Sequence, residues 1–280
     1  MPFMKPSSRH ALCGVVVGML LSAAAAVAGP DPVAEPAPAM GLPKVVDVTI
    51  DGGTNDWADG GLRFDALAEA VPERRPYAAH DATARLAWDE AGLLVRMNVI
   101  DDVFAESNND EALWERDGIE VFVANADGTK RVQFIFTPGL DPAHRQPRAQ
   151  SVDHRPAGAR TQALAQTSAV AKVSGGYVLE ARIPWAQLDI VPTAGLEVRV
   201  QAQVNDVDTG ARRRQLRLRA ATGGGADPSQ MLRFRLVEGP AEAAVSVVTS
   251  GAYERFRHAR VNVGAPASLT SKAVTVHDGG

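Results

Sequence analysis

Residues 84–124, ARLAWDEAGLLVRMNVIDDVFAESNNDEALWERDGIEVFVA, decide the fold of this 280-residue chain. Within this stretch, residues 93–100 and 119–124 each alternate between an aliphatic set and a second, more polar set, and a tight turn is predicted at 89–92. Alternation with a period of two is typical of β-strands whose two faces meet different surroundings. The stretch therefore predicts β-strands on both sides of a polar loop.

That loop, 101–117, is the most polar part of the chain, with seven Asp or Glu residues and Trp114 among them. A large aromatic residue in a polar loop is either a plug for a small satellite core or a platform for a ligand, and we favour the platform. Asp101, Asp102 and Asp117 supply the hard oxygen ligands that calcium prefers. No EF-hand spacing is present, so a solvated acidic loop without an ion is the alternative.

The composition is that of a globular protein, with 45% apolar and 22% charged residues. The net charge of −4, with acidic and basic residues interspersed, lacks the basic footprint of a nucleic-acid partner. Cys13 is the only cysteine, so disulfides and cysteine metal sites are excluded and stability must come from the core.

The N-terminus has the pattern of a signal peptide spanning residues 1–28. Lys5 and Arg9 precede an apolar run, and Ala26-Val27-Ala28 forms a small-x-small cleavage signal. The apolar run is shorter than the ~20 residues of a membrane span, which disfavours the alternative of an uncleaved anchor. We therefore predict a secreted or periplasmic protein with no membrane span after cleavage.

The remaining chain predicts an all-β protein. About ten short strands recur at intervals near ten residues, beginning with 45–50, which is typical of an antiparallel β-sandwich of jelly-roll type. We place this sandwich at 44–238, after a Pro/Ala-rich linker at 29–43 and before an extension of unknown role at 239–280. A Pro-rich excursion is predicted at 138–160.

No enzyme motif is recognisable, and neither a phosphate-binding glycine loop nor a metal-spaced histidine pair is present. Asp117 and Glu120 are the carboxylates to consider for glycosidic chemistry. Their separation of three residues at a strand entry directs them to opposite faces, which disfavours a shared substrate. We therefore predict no catalytic residues.

Polar residues occupy one face of several predicted strands whose other face is aliphatic; these are Arg96, Asn98, Glu120, Gln133, Gln201 and Gln203. Such a face turns to water or to a polar ligand. Amides and carboxylates beside an aromatic plate suit a sugar, whose hydroxyls need donors and acceptors and whose C–H face needs an apolar surface. The alternative is an ordinary solvated sheet face.

Six blocks in this order resemble the family 9 carbohydrate-binding modules and their DOMON-like relatives over about residues 45–238. The blocks are IDGGTNDW, ARLAWDEAGLLVRMNVIDDVF, LWERDGIEVFV, GGYVLEARIPWAQL, VQAQVNDVD and ADPSQMLRFRL. The resemblance implies a non-catalytic β-sandwich appended to a secreted glycoside hydrolase. It also implies a sugar held between two tryptophans, structural calcium and no organic cofactor.

Three positions match the sugar-binding residues of that family. Trp114 stands where the family has one stacking tryptophan, Glu120 matches the acid that ends the same block, and Gln203 matches the glutamine of the Q-V-N-D block. The resemblance therefore implies that Trp114 stacks on the sugar while Glu120 and Gln203 bind its hydroxyls.

Three other positions depart from the family pattern. Ile135 replaces an arginine, Thr222 an asparagine and Gly225 the second tryptophan. By analogy with base–aromatic stacking, the loss of one plate forfeits roughly 1–3 kcal/mol of binding free energy. A single-plate site with weakened affinity is the expectation.

Two alternative functions come from the same group of folds. Some DOMON-like domains hold haem b with a methionine as axial ligand, and Met97 is the candidate, although its position on the aliphatic face favours a place in the core. The other alternative is a structural or interaction domain that has lost its sugar site.

Overall fold

The computed structural model describes residues 39–53, 56–57, 60–65, 67–69, 80–154, 160–162, 167–210, 214–219, 225–239, 244–248 and 260–266. These residues form sixteen strands and three short 3-10 helices. In chain order the elements are β1 (Met40–Pro43), β2 (Leu62–Phe64), β3 (Ala68–Glu69), β4 (His80–Trp88), β5 (Gly92–Asp101), η1 (Leu113–Glu115), β6 (Gly118–Asn125), β7 (Arg131–Thr137), β8 (Arg148–Asp153), β9 (Arg160–Gln162), β10 (Thr167–Val173), β11 (Gly176–Pro184), η2 (Trp185–Leu188), β12 (Glu197–Asp206), β13 (Arg214–Arg217), η3 (Pro228–Gln230), β14 (Leu232–Val237), β15 (Ala244–Val248) and β16 (Arg260–Pro266).

The strands pair into two sheets, which confirms the predicted antiparallel β-sandwich. The first sheet has the order β1-β14-β12-β6-β7-β8-β9, with β13 and β3 attached to β12 as a branch. The second has the order β10-β11-β5-β4-β2-β16-β15. All pairs are antiparallel except β1 with β14. Within the described residues, no helix is long and apolar enough to cross a membrane.

The hydrophobic core lies between the two sheets. The alternate aliphatic residues of β5 (Val95, Met97, Val99) and of β6 (Ile119, Val121, Val123) are buried in one cluster. This is the face that period-two alternation predicts for a strand packed on a second sheet. Met97 is fully buried inside this cluster, where a methionine acts as an apolar filler, so the structure offers no haem site there.

The first strand differs from the prediction. Residues 45–50 form no strand; the chain is extended instead at β1, within the segment assigned to the linker. Met40 and Leu42 point into the core, while Asp47 has a left-handed backbone (φ 61°) that interrupts regular strand geometry. The ordered sandwich therefore begins before residue 44.

The predicted excursion and the C-terminal boundary are revised in the same way. Residues 138–160 contain β8, which pairs with β7. The extension at 239–280 supplies β15 and β16, and β16 pairs with β2 in the second sheet. The sheet therefore continues past residue 238. Within 44–238 the described residues form thirteen strands, β2 to β14, where about ten were predicted. The signal-peptide region and Thr222 lie outside the described residues.

Candidate functional site

A row of side chains crosses the outer face of the first sheet. The strand register aligns Arg217, Gln203, Glu120, Ile135 and Gln150 on β13, β12, β6, β7 and β8 respectively. Side chains directly opposite on adjacent strands lie about 4.5–5.5 Å apart at Cβ, so these five residues form a continuous row. We call it the outer row.

Glu120 is the centre of a hydrogen-bond network on this face. Its carboxylate accepts from Gln133 Nε2 at 2.5 Å, from Gln203 Nε2 at 2.6 Å and from Asn205 Nδ2 at 2.6 Å. A carboxylate offers about four lone-pair positions, so about one remains for a further donor. The charge of Glu120 is thereby stabilised while its side chain is buried.

The network continues along both neighbouring strands. On one side, Asn205 Oδ1 accepts from Gln215 Nε2 at 2.7 Å, and Gln215 Oε1 accepts from Arg217 at 3.0 Å. On the other side, Gln133 Oε1 and His154 Nε2 are 2.7 Å apart. Because Gln133 donates its amide to Glu120, its Oε1 is the acceptor and His154 the donor.

The surroundings of His154 favour its neutral form. Partial burial lowers the pKa of its imidazole, and the nearby Arg131 cation lowers it further. With its Nε2–H directed at Gln133, the neutral ring fixes the orientation of that amide and so indirectly the orientation of Glu120.

Trp114 lies at the end of this network, in η1. Its ring is half-buried and packs against a small apolar cluster of Leu113, Ile135 and Val152. Its carbonyl accepts from Asn205 Nδ2 at 3.2 Å, which ties the 3-10 turn to β12. Trp114 therefore covers a satellite core with part of its surface and leaves another part open to solvent.

The departures from the family pattern have local consequences. Ile135 is fully buried between Glu120 and Gln150, so the outer row has an apolar residue where an arginine was expected. A Cβ on Gly225 would lie 2.4 Å from the ring of Phe122, so this position has no room for a side chain unless Phe122 moves.

Glu120, Gln133, Gln201 and Gln203 are all buried, so this face is not turned to water, and the alternative of a polar ligand stays a prediction. Burial is tolerated because the polar atoms largely bond one another. Arg96, together with its neighbour Asn98, lies on β5 in the second sheet, so it does not join this face.

Buried carboxylates meet at a second place. Asp101, Asp117 and Asp206 can each direct an oxygen so that all three lie within 4.8 Å of one another. Burial raises the pKa of Asp117 to about 8, and the nearby Asp101 adds to this increase. Asp117 accepts from the backbone N–H groups of Ala105 and Val207, so it points away from Glu120.

The three acids predicted for calcium are therefore divided between two groups. Asp102 joins Asp101 and Asp208 in a more exposed group, whereas Asp117 joins Asp101 and Asp206 in the buried one. Arg214 lies 3.2 Å from both Asp206 and Asp208 and neutralises part of the charge.

Tyr177 adds a further oxygen near the buried acids. Its hydroxyl is buried and has no hydrogen-bond partner among the residues that the structure describes. Burial, together with Asp101 and Asp117, raises the pKa of this hydroxyl well above the usual value. Carboxylates and a hydroxyl are hard oxygen donors, the chemistry that calcium prefers over softer metals. The residues present therefore fit that ion.

Sequence reasoning missed Asn205, Asp206 and Gln150. Asn205 and Asp206 belong to the VQAQVNDVD block already noted, but only the strand register shows that Asn205 bonds Glu120. Gln150 fell in the predicted excursion, and no pattern in the sequence marks it as part of a strand.

The fold is a two-sheet β-sandwich with a carboxylate, amides and a tryptophan on the outer face of one sheet. The sequence profile described as "Carbohydrate family 9 binding domain-like" matches residues 50–239, more than half of the chain, and the chain belongs to this family. It is therefore a carbohydrate-binding module and not a catalytic domain, as predicted.

Curated relatives are long enzymes. Over 132 residues the chain is 28% identical to endo-1,4-beta-xylanase A of Thermotoga neapolitana, a match that covers 47% of this chain and 12% of the relative. Exoglucanase XynX of Acetivibrio thermocellus matches at 28% identity over 47% of this chain and 11% of the relative. The chain thus matches only a small part of the length of either enzyme.

Solved structures share the fold. A family 9 module from Caldicellulosiruptor kristjanssonii in complex with cellotriose superposes with a TM-score of 0.54 at 18% identity, covering 72% of this chain and 95% of that one. A family 9 module from the same organism in complex with glucose gives a TM-score of 0.54 at 21% identity, covering 71% and 95%.

Proposed function

We propose that this chain binds a sugar without catalysis, with the ring stacked on Trp114 and hydroxyls bound by Glu120 and Gln203. The observation that carries the proposal is the outer row, in which Glu120 and Gln203 are opposite each other and close to the tryptophan turn. The similar modules in complex with cellotriose and glucose support glucose-based sugars as the class.

The proposed polar partners of the sugar are held in fixed orientations by the protein. Glu120 is fixed by three donors, so a hydroxyl that takes its remaining lone pair meets a carboxylate that needs no reorientation. Such pre-organisation reduces the entropy cost of binding. Trp114 contributes the apolar plate, and its attachment to Asn205 holds that plate beside the polar network.

Isothermal titration calorimetry with glucose, cellotriose and xylotriose tests the sugar proposal. We expect Trp114→Ala to weaken binding about five- to a hundred-fold, because one plate is worth roughly 1–3 kcal/mol by analogy with base stacking. Trp114→Phe is the matched control, since it keeps an aromatic plate and should lose less. Unchanged affinity in Trp114→Ala would refute the stacking role.

We also propose that calcium binds at Asp101, Asp117 and Asp206 and has a structural role. The fit rests on three close carboxylates and the unpartnered Tyr177 hydroxyl beside them. Bound there, the ion would supply charge neutralisation that the buried acids otherwise obtain by keeping a proton. Asp102 belongs to the alternative group of ligands around Asp101.

Export and an enzyme partner complete the proposal. The signal-peptide pattern at 1–28 supports secretion or periplasmic location, and the xylanase and exoglucanase relatives support work beside a glycoside hydrolase. N-terminal sequencing of the protein recovered outside the cytoplasm should begin at Gly29; a sequence that retains residues 1–28 would contradict cleavage.

A further inference from the structure

Gln150 in β8 is the least satisfied polar side chain on the outer face. It is only 5% exposed, and within the described part of the chain neither its Oε1 nor its Nε2 has a hydrogen-bond partner. Buried amide groups in folded proteins are almost always bonded, because an unmade bond costs the full desolvation penalty of the group. A buried glutamine amide without a partner among the described residues is available to a partner that is not part of the protein.

The neighbouring glutamine side chains make more hydrogen bonds than Gln150, so the unsatisfied amide groups are confined to a small part of the outer face. Gln133 uses both ends of its amide, with Glu120 and His154, and Gln201 Nε2 donates to two backbone carbonyls. Gln203 donates to Glu120, but its Oε1 is buried and has no partner in the described ranges. Gln150 and Gln203 thus leave one donor group and two acceptors unmatched, on either side of Glu120 and Ile135.

The outer row places the amides of Gln150 and Gln203 on either side of Glu120 and Ile135. Gln150 is opposite Ile135, Ile135 is opposite Glu120, and Glu120 is opposite Gln203. Ile135 has no polar atom and is covered by Leu113 and Trp114, so the amide of Gln150 and the carboxylate of Glu120 are the polar groups on either side of the tryptophan turn. The spacing of two strands, about 10 Å, is comparable to the length of one or two sugar rings.

We propose that Gln150 binds the sugar directly and helps to select an uncharged one. The inference rests on the proposed function of the outer face. An amide offers both a donor and an acceptor, which complements a hydroxyl that also does both. A carboxylate on the sugar would instead meet the charge of Glu120 and the carbonyl oxygens of Gln150 and Gln203, with apolar Ile135 between them.

The charges in the outer row support a preference for an uncharged sugar. Arg217 is the only cation among the five residues of the outer row, and it lies on the far side of Gln203, bonded to Gln215.

Binding also includes an opening step, because the amide atoms of Gln150 are shielded from bulk water in this structure. Such a step makes association slower than at an open site.

The test is Gln150→Met, an unbranched apolar replacement of similar length, with Gln150→Leu as a second variant. The matched control is Gln146→Met, the same exchange at an exposed position of the adjoining loop. Affinity is measured by calorimetry with cellotriose, glucose and glucuronic acid, and the melting temperature is measured without sugar.

We expect Gln150→Met to bind cellotriose about five- to fifty-fold more weakly, since up to two hydrogen bonds are lost. Its sugar-free melting temperature should stay equal or rise, because an unmatched buried amide has been replaced by apolar atoms. The control should change neither value, and the unaltered protein should prefer glucose to glucuronic acid.

The contrary results separate the two proposals. If the unaltered protein binds cellotriose and Gln150→Met binds it equally well, the role of Gln150 is refuted while the proposed function stands. A marked fall in the sugar-free melting temperature of both variants would assign Gln150 a structural role and refute the inference. If the unaltered protein binds none of the three sugars while remaining folded, both proposals fail.

Discussion

Trp57 and Trp88 are equally buried indoles whose N–H groups meet different acceptors. Each is 1% exposed, and each has a cation over its ring, Arg85 at 5.3 Å and Lys44 at 5.0 Å. Trp57 Nε1 donates to the Glu180 carboxylate at 2.7 Å, whereas Trp88 Nε1 donates to a backbone carbonyl at 3.2 Å. The pair isolates the effect of the acceptor charge.

Replacing Trp57 by Phe should therefore destabilise the fold more than the same change at Trp88. Hydrogen bonds to a charged group contribute about 1.5–3 kcal/mol and neutral ones about 0.5–1.5 kcal/mol, so we expect a difference of about 1 kcal/mol. Urea unfolding of both variants measures it. Equal losses of the free energy of unfolding would show that the charge of Glu180 adds nothing.

For single residues, the sequence predicts burial better than it predicts hydrogen-bond partners. Trp57 could be predicted as a plug from its apolar bulk beside a turn. Its partner Glu180 lies 123 positions away, and only the folded strands bring the two together. The same limit hides Gln150, because an isolated glutamine carries no periodic signal and its unmatched amide appears only in three dimensions.

At the scale of elements, the loop that carries Trp114 is fastened to the segment after β7. Glu106 is buried and accepts from the backbone of Leu140 at 2.9 Å and from Arg148 at 3.2 Å. Arg148 also donates to Asp110 at 2.8 Å. The connection links residues 101–117 to β8, and it therefore helps to set the position of η1 relative to the sheet.

Arg148→Met should loosen this connection. Glu106 would lose a charged partner but keep its backbone donors, so we expect a loss of about 1–3 kcal/mol in the free energy of unfolding. Sugar affinity should also fall, because Trp114 depends on the same loop. Thermal unfolding and calorimetry measure the two effects.

The control for this change is Arg145→Met, at an exposed arginine of the same segment. It should leave both the free energy of unfolding and the sugar affinity close to their original values. If Arg148→Met lowered stability while affinity stayed unchanged, the loop connection would have no part in positioning Trp114.

Strands in which apolar and polar residues alternate strongly could be predicted from the sequence. A strand that forms only because it pairs with the edge of another strand could not. β5, β6, β12 and β14 have clear period-two patterns, and the structure has strands at all four positions. β1 is short and lies in a Pro/Ala-rich segment, and it becomes a strand because the edge of β14 supplies its hydrogen bonds. Neighbouring strands, rather than local propensity, decide such cases.

At the scale of the whole molecule, the buried acids join the two sheets. Asp101 ends β5 in the second sheet, while Asp206 ends β12 in the first. Without a cation, burial between the two sheets disfavours the charged form of Asp117. Burial, with a smaller contribution from the nearby Asp101, raises the pKa of Asp117 from 3.8 to about 8.

This cluster predicts how stability depends on pH in metal-free protein. A pKa that is higher in the folded state means that the folded state binds the proton more tightly, so stability falls as pH rises from about 4 to about 8. Calcium should reverse this trend, because it replaces the proton and favours the deprotonated acids. The melting temperature in chelator and in calcium, at pH 5 and pH 8, measures both effects.

Asp117→Asn tests whether the titration of Asp117 causes the pH dependence of stability. It keeps a side chain of nearly the same shape, removes the titrating group, and should therefore flatten the fall in melting temperature between pH 5 and pH 8 in chelator. The calcium-induced rise should shrink as well, since one ligand charge is lost. If the unaltered protein melted at the same temperature with and without calcium at pH 8, the cluster would stabilise itself through Arg214 and internal protons alone, and the two sheets would need no ion to hold them together.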